Sequence, residues 1–177
     1  MFYKSKKRGF SLIETIVAVA VLALSVTGPL VVAEKGLTGA REAKNQMISS
    51  YLAQDALEFV KAVRNENIFR GRNWLVGLQN CASSDGSKKC TLDTVEKTSK
   101  TCPSASCDSR LRFEGWYSDN ARYGYSSSLP EVTNFWREVY ITSITGGEVK
   151  VSVVVKWVTP PFPQKSFTVE SNMTNWD

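Results

Sequence analysis

The chain has 177 residues, with 22 basic and 17 acidic side chains and no histidine. Its net charge of +5 misleads: Lys4, Lys6, Lys7 and Arg8 all precede Gly9, and the 18 basic side chains left after these four nearly balance the 17 acids, so charge makes no case for nucleic acid. Lack of histidine removes the commonest general base and metal ligand. With no nucleophile motif or phosphate loop either, the sequence predicts no enzyme, no catalytic residue, no metal site and no cofactor.

Met1 to Gly9 form a short basic leader, which the positive-inside rule keeps in the cytoplasm. Thr15 to Ala33 follow as nineteen residues without a charge. At ~1.5 Å per residue they span roughly 28 Å, about one hydrocarbon core. Glu14 stands at the head of this run. An acid at mid-membrane costs roughly 2.5–3.5 kcal/mol, so one retained there is a functional candidate. Two plainer readings compete. Val31-Val32-Ala33 before Glu34 offers the small residues of a secretory cleavage site, or the segment serves as an uncleaved anchor. The run exceeds the ~7–15 residues of an ordinary signal core, and neither reading gives Glu14 a purpose.

Within the run, Gly28 and Pro29 are an expected helix break. Pro29 has no N–H for the Ser25 carbonyl, and its ring crowds the preceding turn. Ser25 and Thr27 can bond back to the backbone there. Gly36 and Gly39 weaken the helix by roughly 1 kcal/mol each relative to alanine. Residues 34–64 continue as an amphipathic helix. Ile48, Leu52, Ala56, Phe59, Val60 and Val63 recur at helical spacing and predict a face covering a folded domain, with Asp55 and Lys61 largely outside it.

Residues 65–130 lack periodicity and contain Cys81, Cys90, Cys102 and Cys107. There is no C-x-x-C pair, and intervals of eight and four intervening residues fit no standard zinc pattern. Behind a membrane-targeting segment, two disulfides are the expected state. Three connectivities are open, of which the local pairs Cys81–Cys90 and Cys102–Cys107 are favoured. Trp74, Leu75 and Leu78 suggest a short helix or turn, and Leu111 to Tyr117 a short strand. Lys88, Lys89, Lys97 and Lys100 read as a solvated face. Trp116, Tyr117, Tyr123, Tyr125 and Trp136 can stack on bases or sugars, but packing is the favoured role.

Residues 131–177 predict an antiparallel meander. Phe135 to Ile144 is rich in aromatic and β-branched residues, and Gly146-Gly147 is a hairpin signal. In the next strand Val149, Val151, Val153, Val155 and Trp157 alternate on one face. Pro160-Pro161-Phe162-Pro163 stops the pairing. Ser166 to Asn172 makes a third strand, with Phe167 and Val169 inward. The amphipathic helix supplies the cover this sheet needs, an α+β arrangement.

The block Lys6-Lys7-Arg8-Gly9-Phe10-Ser11-Leu12-Ile13-Glu14, leading straight into the apolar run, resembles the cleavage and methylation motif of type IV prepilins and type II secretion pseudopilins. The resemblance implies that a membrane prepilin peptidase cuts after Gly9 and N-methylates Phe10. It implies that Glu14 docks the subunit into a helical filament, accepting a charge-assisted bond from the Phe10 amine of a neighbour. Pro29 resembles a family proline that accompanies local helix unwinding in the filament. Tyr51 to Glu58, followed by Val63-Arg64-Asn65, is similar to minor-pilin sequences. The implied partners are other pilin subunits, the prepilin peptidase, an inner-membrane assembly platform, and membrane lipid before assembly. Nucleic acid is a conceivable partner without support. The expected fold is pilin-like α+β: leader 1–9, membrane or filament-core half-helix 10–33, amphipathic half-helix 34–64, variable disulfide region 65–130 and meander 131–177. The expected location is the cytoplasmic membrane as a single-pass protein, N-terminus inside and domain outside, then a cell-surface or periplasmic filament. A minor subunit is favoured over a small repeating one, and a type IV pilus and a type II secretion system stay equally open. The alternatives are a membrane-anchored adhesin or DNA-binding subunit of an uptake pilus, and a plain membrane-anchored extracytoplasmic domain.

Overall fold

The computed structural model describes residue 9 and residues 11–103, 107–115 and 121–176. Met1 to Arg8, Phe10, Trp116 and Tyr117 lie outside these. The chain divides into two compact units, Met1–Glu42 and Ala43–Asp177. One helix, α1 (Leu12–Phe69), contributes to both.

In the first unit α1 opens on Ser11. The Glu14 N–H reaches both the Ser11 carbonyl (3.1 Å) and its Oγ (3.3 Å), so Ser11 is the N-cap and Glu14 the third helical residue. The hydroxyls of Thr15, Ser25 and Thr27 donate to the carbonyls of Leu12, Leu22 and Leu24, three residues back. Each hydroxyl of the apolar run is thus satisfied within its own segment, as a lipid environment demands. Helix geometry continues through Gly28 and Pro29, so this structure has no break there.

In the second unit α1 buries Leu52, Ala53, Ala56, Leu57 and Val60, with Ile48, Phe59 and Val63 at the margin. The centre of the buried face is therefore rotated from the expected stripe. Ala53 and Ala56 are fully buried at its centre. That leaves Phe59 at the edge. The helix also runs past residue 64. Gly71 has φ +64°, its N–H bonds to Ile68 O, and the Arg72 N–H bonds to Asn67 O. This is a Schellman stop on a glycine that accepts the left-handed conformation. The Asn67 amide donates to the carbonyls of Trp74 and Val76 and ties down the turn that follows.

The strands are β1 (Ala82–Ser83), β2 (Cys90–Asp93), β3 (Thr98–Thr101), β4 (Arg112–Glu114), β5 (Arg122–Gly124), β6 (Glu131–Val132), β7 (Phe135–Thr145), β8 (Glu148–Trp157) and β9 (Lys165–Thr174). The larger sheet has the order β3-β2-β7-β8-β9, with β1 parallel to β7. β7, β8 and β9 form the antiparallel meander, turning at Gly146-Gly147. Val149, Val151, Val153, Val155 and Trp157 are all buried on one face of β8, and Phe167, Val169 and Met173 line the same side of β9. A smaller sheet has the order β5-β4-β6.

The region without periodicity is thus more ordered than its sequence pattern suggested. The hairpin of β2 and β3 extends the main sheet beyond β7. Its anchor is the disulfide Cys81–Cys90. Both cysteines are fully buried in the core, Cys81 O accepts the Ile141 N–H, and Cys90 pairs with Val139. Strands of two to four residues are too short to show a period, and the disulfide supplies the restraint their sequence does not.

Candidate functional site

The first candidate site is the segment around Gly9, Phe10 and Glu14. Gly9 is exposed, a Cβ placed on it would meet nothing within 4 Å, and its φ lies outside the left-handed region. Nothing among the described residues therefore requires a glycine here. Phe10 lies outside the described residues. Glu14 is exposed in the first turn of α1, where a carboxylate complements the positive end of the helix dipole. Ser11 and Glu14 stand in the S-x-x-E spacing of a capping box, a signal the sequence reading passed over.

Beyond Glu14 the apolar side chains are exposed all round the helix. Leu22 is 64% exposed, Leu24 74% and Val32 71%. A face of this kind must be covered by lipid or by other chains. The helix is long and apolar enough to cross a membrane.

Residues 4–28 match the family model of the prokaryotic N-terminal methylation motif. That observation decides the segment: residues 4–28 carry the N-terminal methylation motif that type IV prepilins and pseudopilins share. The match ends within the apolar run and leaves the second unit, Ala43–Asp177, outside it. No curated protein and no solved structure matches the chain.

In the second unit the cysteines form two disulfides, Cys81–Cys90 and Cys102–Cys107. The second pair sits over the outer face of β7. The Cys107 N–H donates to Glu138 Oε1 (3.2 Å), while Lys156 Nζ (2.8 Å) and the Tyr140 hydroxyl (2.8 Å) hold the same carboxylate. Burial pushes the Glu138 carboxyl up, but its three donors and the Lys156 charge together outweigh burial and hold it below its ordinary value. Tyr140 is pushed up to about 12 by burial and by the Glu138 carboxylate it donates to.

Sequence reasoning also missed Arg137, which is fully buried on the inner face of β7. Its Nη1 donates to Leu52 O (3.0 Å) and Asp55 Oδ2 (2.9 Å), and its Nη2 to Leu92 O. One guanidinium thus joins helix, meander and hairpin. The alternation Phe135, Arg137, Val139, Ile141 was the available signal, since it places an arginine among core residues. Of the aromatic candidates, Tyr123 packs on Phe113 with centroids 4.7 Å apart, and the Tyr125 hydroxyl donates to Arg137 O. Trp136 lies under the Arg110 guanidinium. These rings make packing contacts, and Tyr123 and Tyr125 also line open clefts. The same residues hold no group of three potential metal ligands.

Proposed function

We propose that the chain is a structural subunit, minor rather than major, of a type IV pilus or type II secretion pseudopilus. The observation that carries this reading is the methylation motif at residues 4–28 leading directly into an exposed apolar helix. A prepilin peptidase cleaves after Gly9 and methylates Phe10. The open space around Gly9 supports a glycine kept for the peptidase rather than for the fold. Before assembly the apolar half of α1 lies in lipid, with the leader inside and the second unit outside. An assembly platform in the membrane then moves the subunit into the filament, where neighbouring helices cover the same side chains and Gly28-Pro29 is the place for local unwinding. Glu14 receives the Phe10 amine of a neighbour. Without that acid the amine would enter an apolar core unpaired.

Glu14→Ala tests the docking role. The variant is inserted and cleaved as wild type, because alanine makes the segment more apolar, and fails to enter filaments. A Glu14→Ala protein that joins sheared filaments in wild-type amounts refutes it.

A further inference from the structure

Two adjoining clefts in the second unit share Thr91, Lys100 and Tyr125 in their walls. The first, about 440 Å³, is also lined by Asp108, Ser109, Arg110 and Arg112. Three cations face one acid there. Among the described residues none of the three is in an ion pair. Arg112 donates Nε to Leu129 O (2.6 Å) and Nη2 to Pro130 O (3.4 Å). These neutral acceptors fix the guanidinium without cancelling its charge. Arg110 is held over the Trp136 ring, 4.9 Å from its centroid. Two oriented guanidiniums and an ammonium converging on one cleft suit a carboxylate, which pairs with arginine in a planar, bidentate geometry.

The second cleft, about 500 Å³, has the opposite character. Asp93, Glu96, Thr98, Ser126 and Ser127 line it. The Asp93 carboxylate accepts the N–H groups of Val95, Glu96 and Tyr125. Glu96 is exposed and available to accept. A phosphate chain needs continuous positive potential along its path, and Asp93 and Glu96 interrupt it in this cleft, where Tyr125 is the one aromatic ring of the lining. A chain of hydroxyl-bearing rings meets acceptors and hydroxyls throughout it. We propose that the paired clefts bind an acidic saccharide, its carboxylate at Lys100, Arg110 and Arg112 and its neutral rings along Thr98, Glu96 and Ser127.

The test uses the full chain in detergent and calorimetric titration with matched probes: 3′-sialyllactose against lactose, and trigalacturonate and triglucuronate against their neutral trisaccharides. At least one acidic member binds saturably and its neutral partner about tenfold or more weakly, the effect of losing a charge-assisted contact. Lys100→Gln with Arg110→Gln abolishes that difference while thermal unfolding is unchanged. Lys97→Gln, outside both clefts, leaves binding as in wild type. Equal or absent binding across every pair overturns the proposal. So does oligothymidylate binding that disappears in the double variant, since it would assign the clefts to nucleic acid.

Discussion

Asp55→Ala leaves the buried Arg137 guanidinium with two carbonyl acceptors and no counter-charge. Breaking a buried ion pair by removing one partner costs roughly 3–5 kcal/mol. Here the Arg137 side chain is 0% exposed but that of Asp55 is 48% exposed, so water screens the acid and the cost falls to about 1–2 kcal/mol. Arg137→Ala is worse. It removes both bonds to carbonyls and opens a cavity in the core, for a total of roughly 3–5 kcal/mol. Arg137→Met fills the volume and removes the charge together, and stays within about 1.5 kcal/mol of wild type. Urea unfolding of the three variants, followed by tryptophan fluorescence, gives the order Arg137→Ala, then Asp55→Ala, then Arg137→Met. An Asp55→Ala protein as stable as wild type, or Arg137→Met less stable than Arg137→Ala, would show that the guanidinium does not join the three elements as argued.

Three further outcomes follow from the same geometry. Glu138 titrates below its ordinary value of 4.5 in the folded chain. Its contribution is therefore full above that value and lost as pH falls through the depressed one; Glu138→Gln removes this acid-side slope from a stability–pH curve, and an unchanged slope contradicts the assignment. Cys81→Ser with Cys90→Ser destabilises more than Cys102→Ser with Cys107→Ser. Loop closure is worth ~2–3 kcal/mol in either case, but only the first pair lies in the core cluster; equal melting temperatures would refute this. Gly71→Ala strains the left-handed stop of α1 and costs about 1 kcal/mol by chemical denaturation, whereas a neutral result would mean the helix end is not set there.

How far the fold could be read depended on segment length. β8 alternates over ten residues, and the first half of α1 is apolar over nineteen, so both announce themselves through period and run length. β1, β2 and β3 are two to four residues long and are placed by pairing with β7 and by a disulfide, which are contacts distant in sequence. Arg137 was hidden for a related reason. An arginine reads as a surface residue until the elements that surround it, Leu52, Asp55 and Leu92, are brought together in space. At the N-terminus the order is reversed. Gly9 and Glu14 could be singled out because their neighbours in sequence carry the signal, and the described residues give Gly9 no contact that would explain it.

The central claim is a chain matured at Gly9, and intact-mass and N-terminal peptide mass spectrometry of protein taken from its native membrane tests it most directly. The account predicts a first residue of Phe10 carrying one methyl group. A first residue of Glu34 would make the segment an ordinary secretory signal, and an intact Met1 would make it a plain anchor; either contradicts the account.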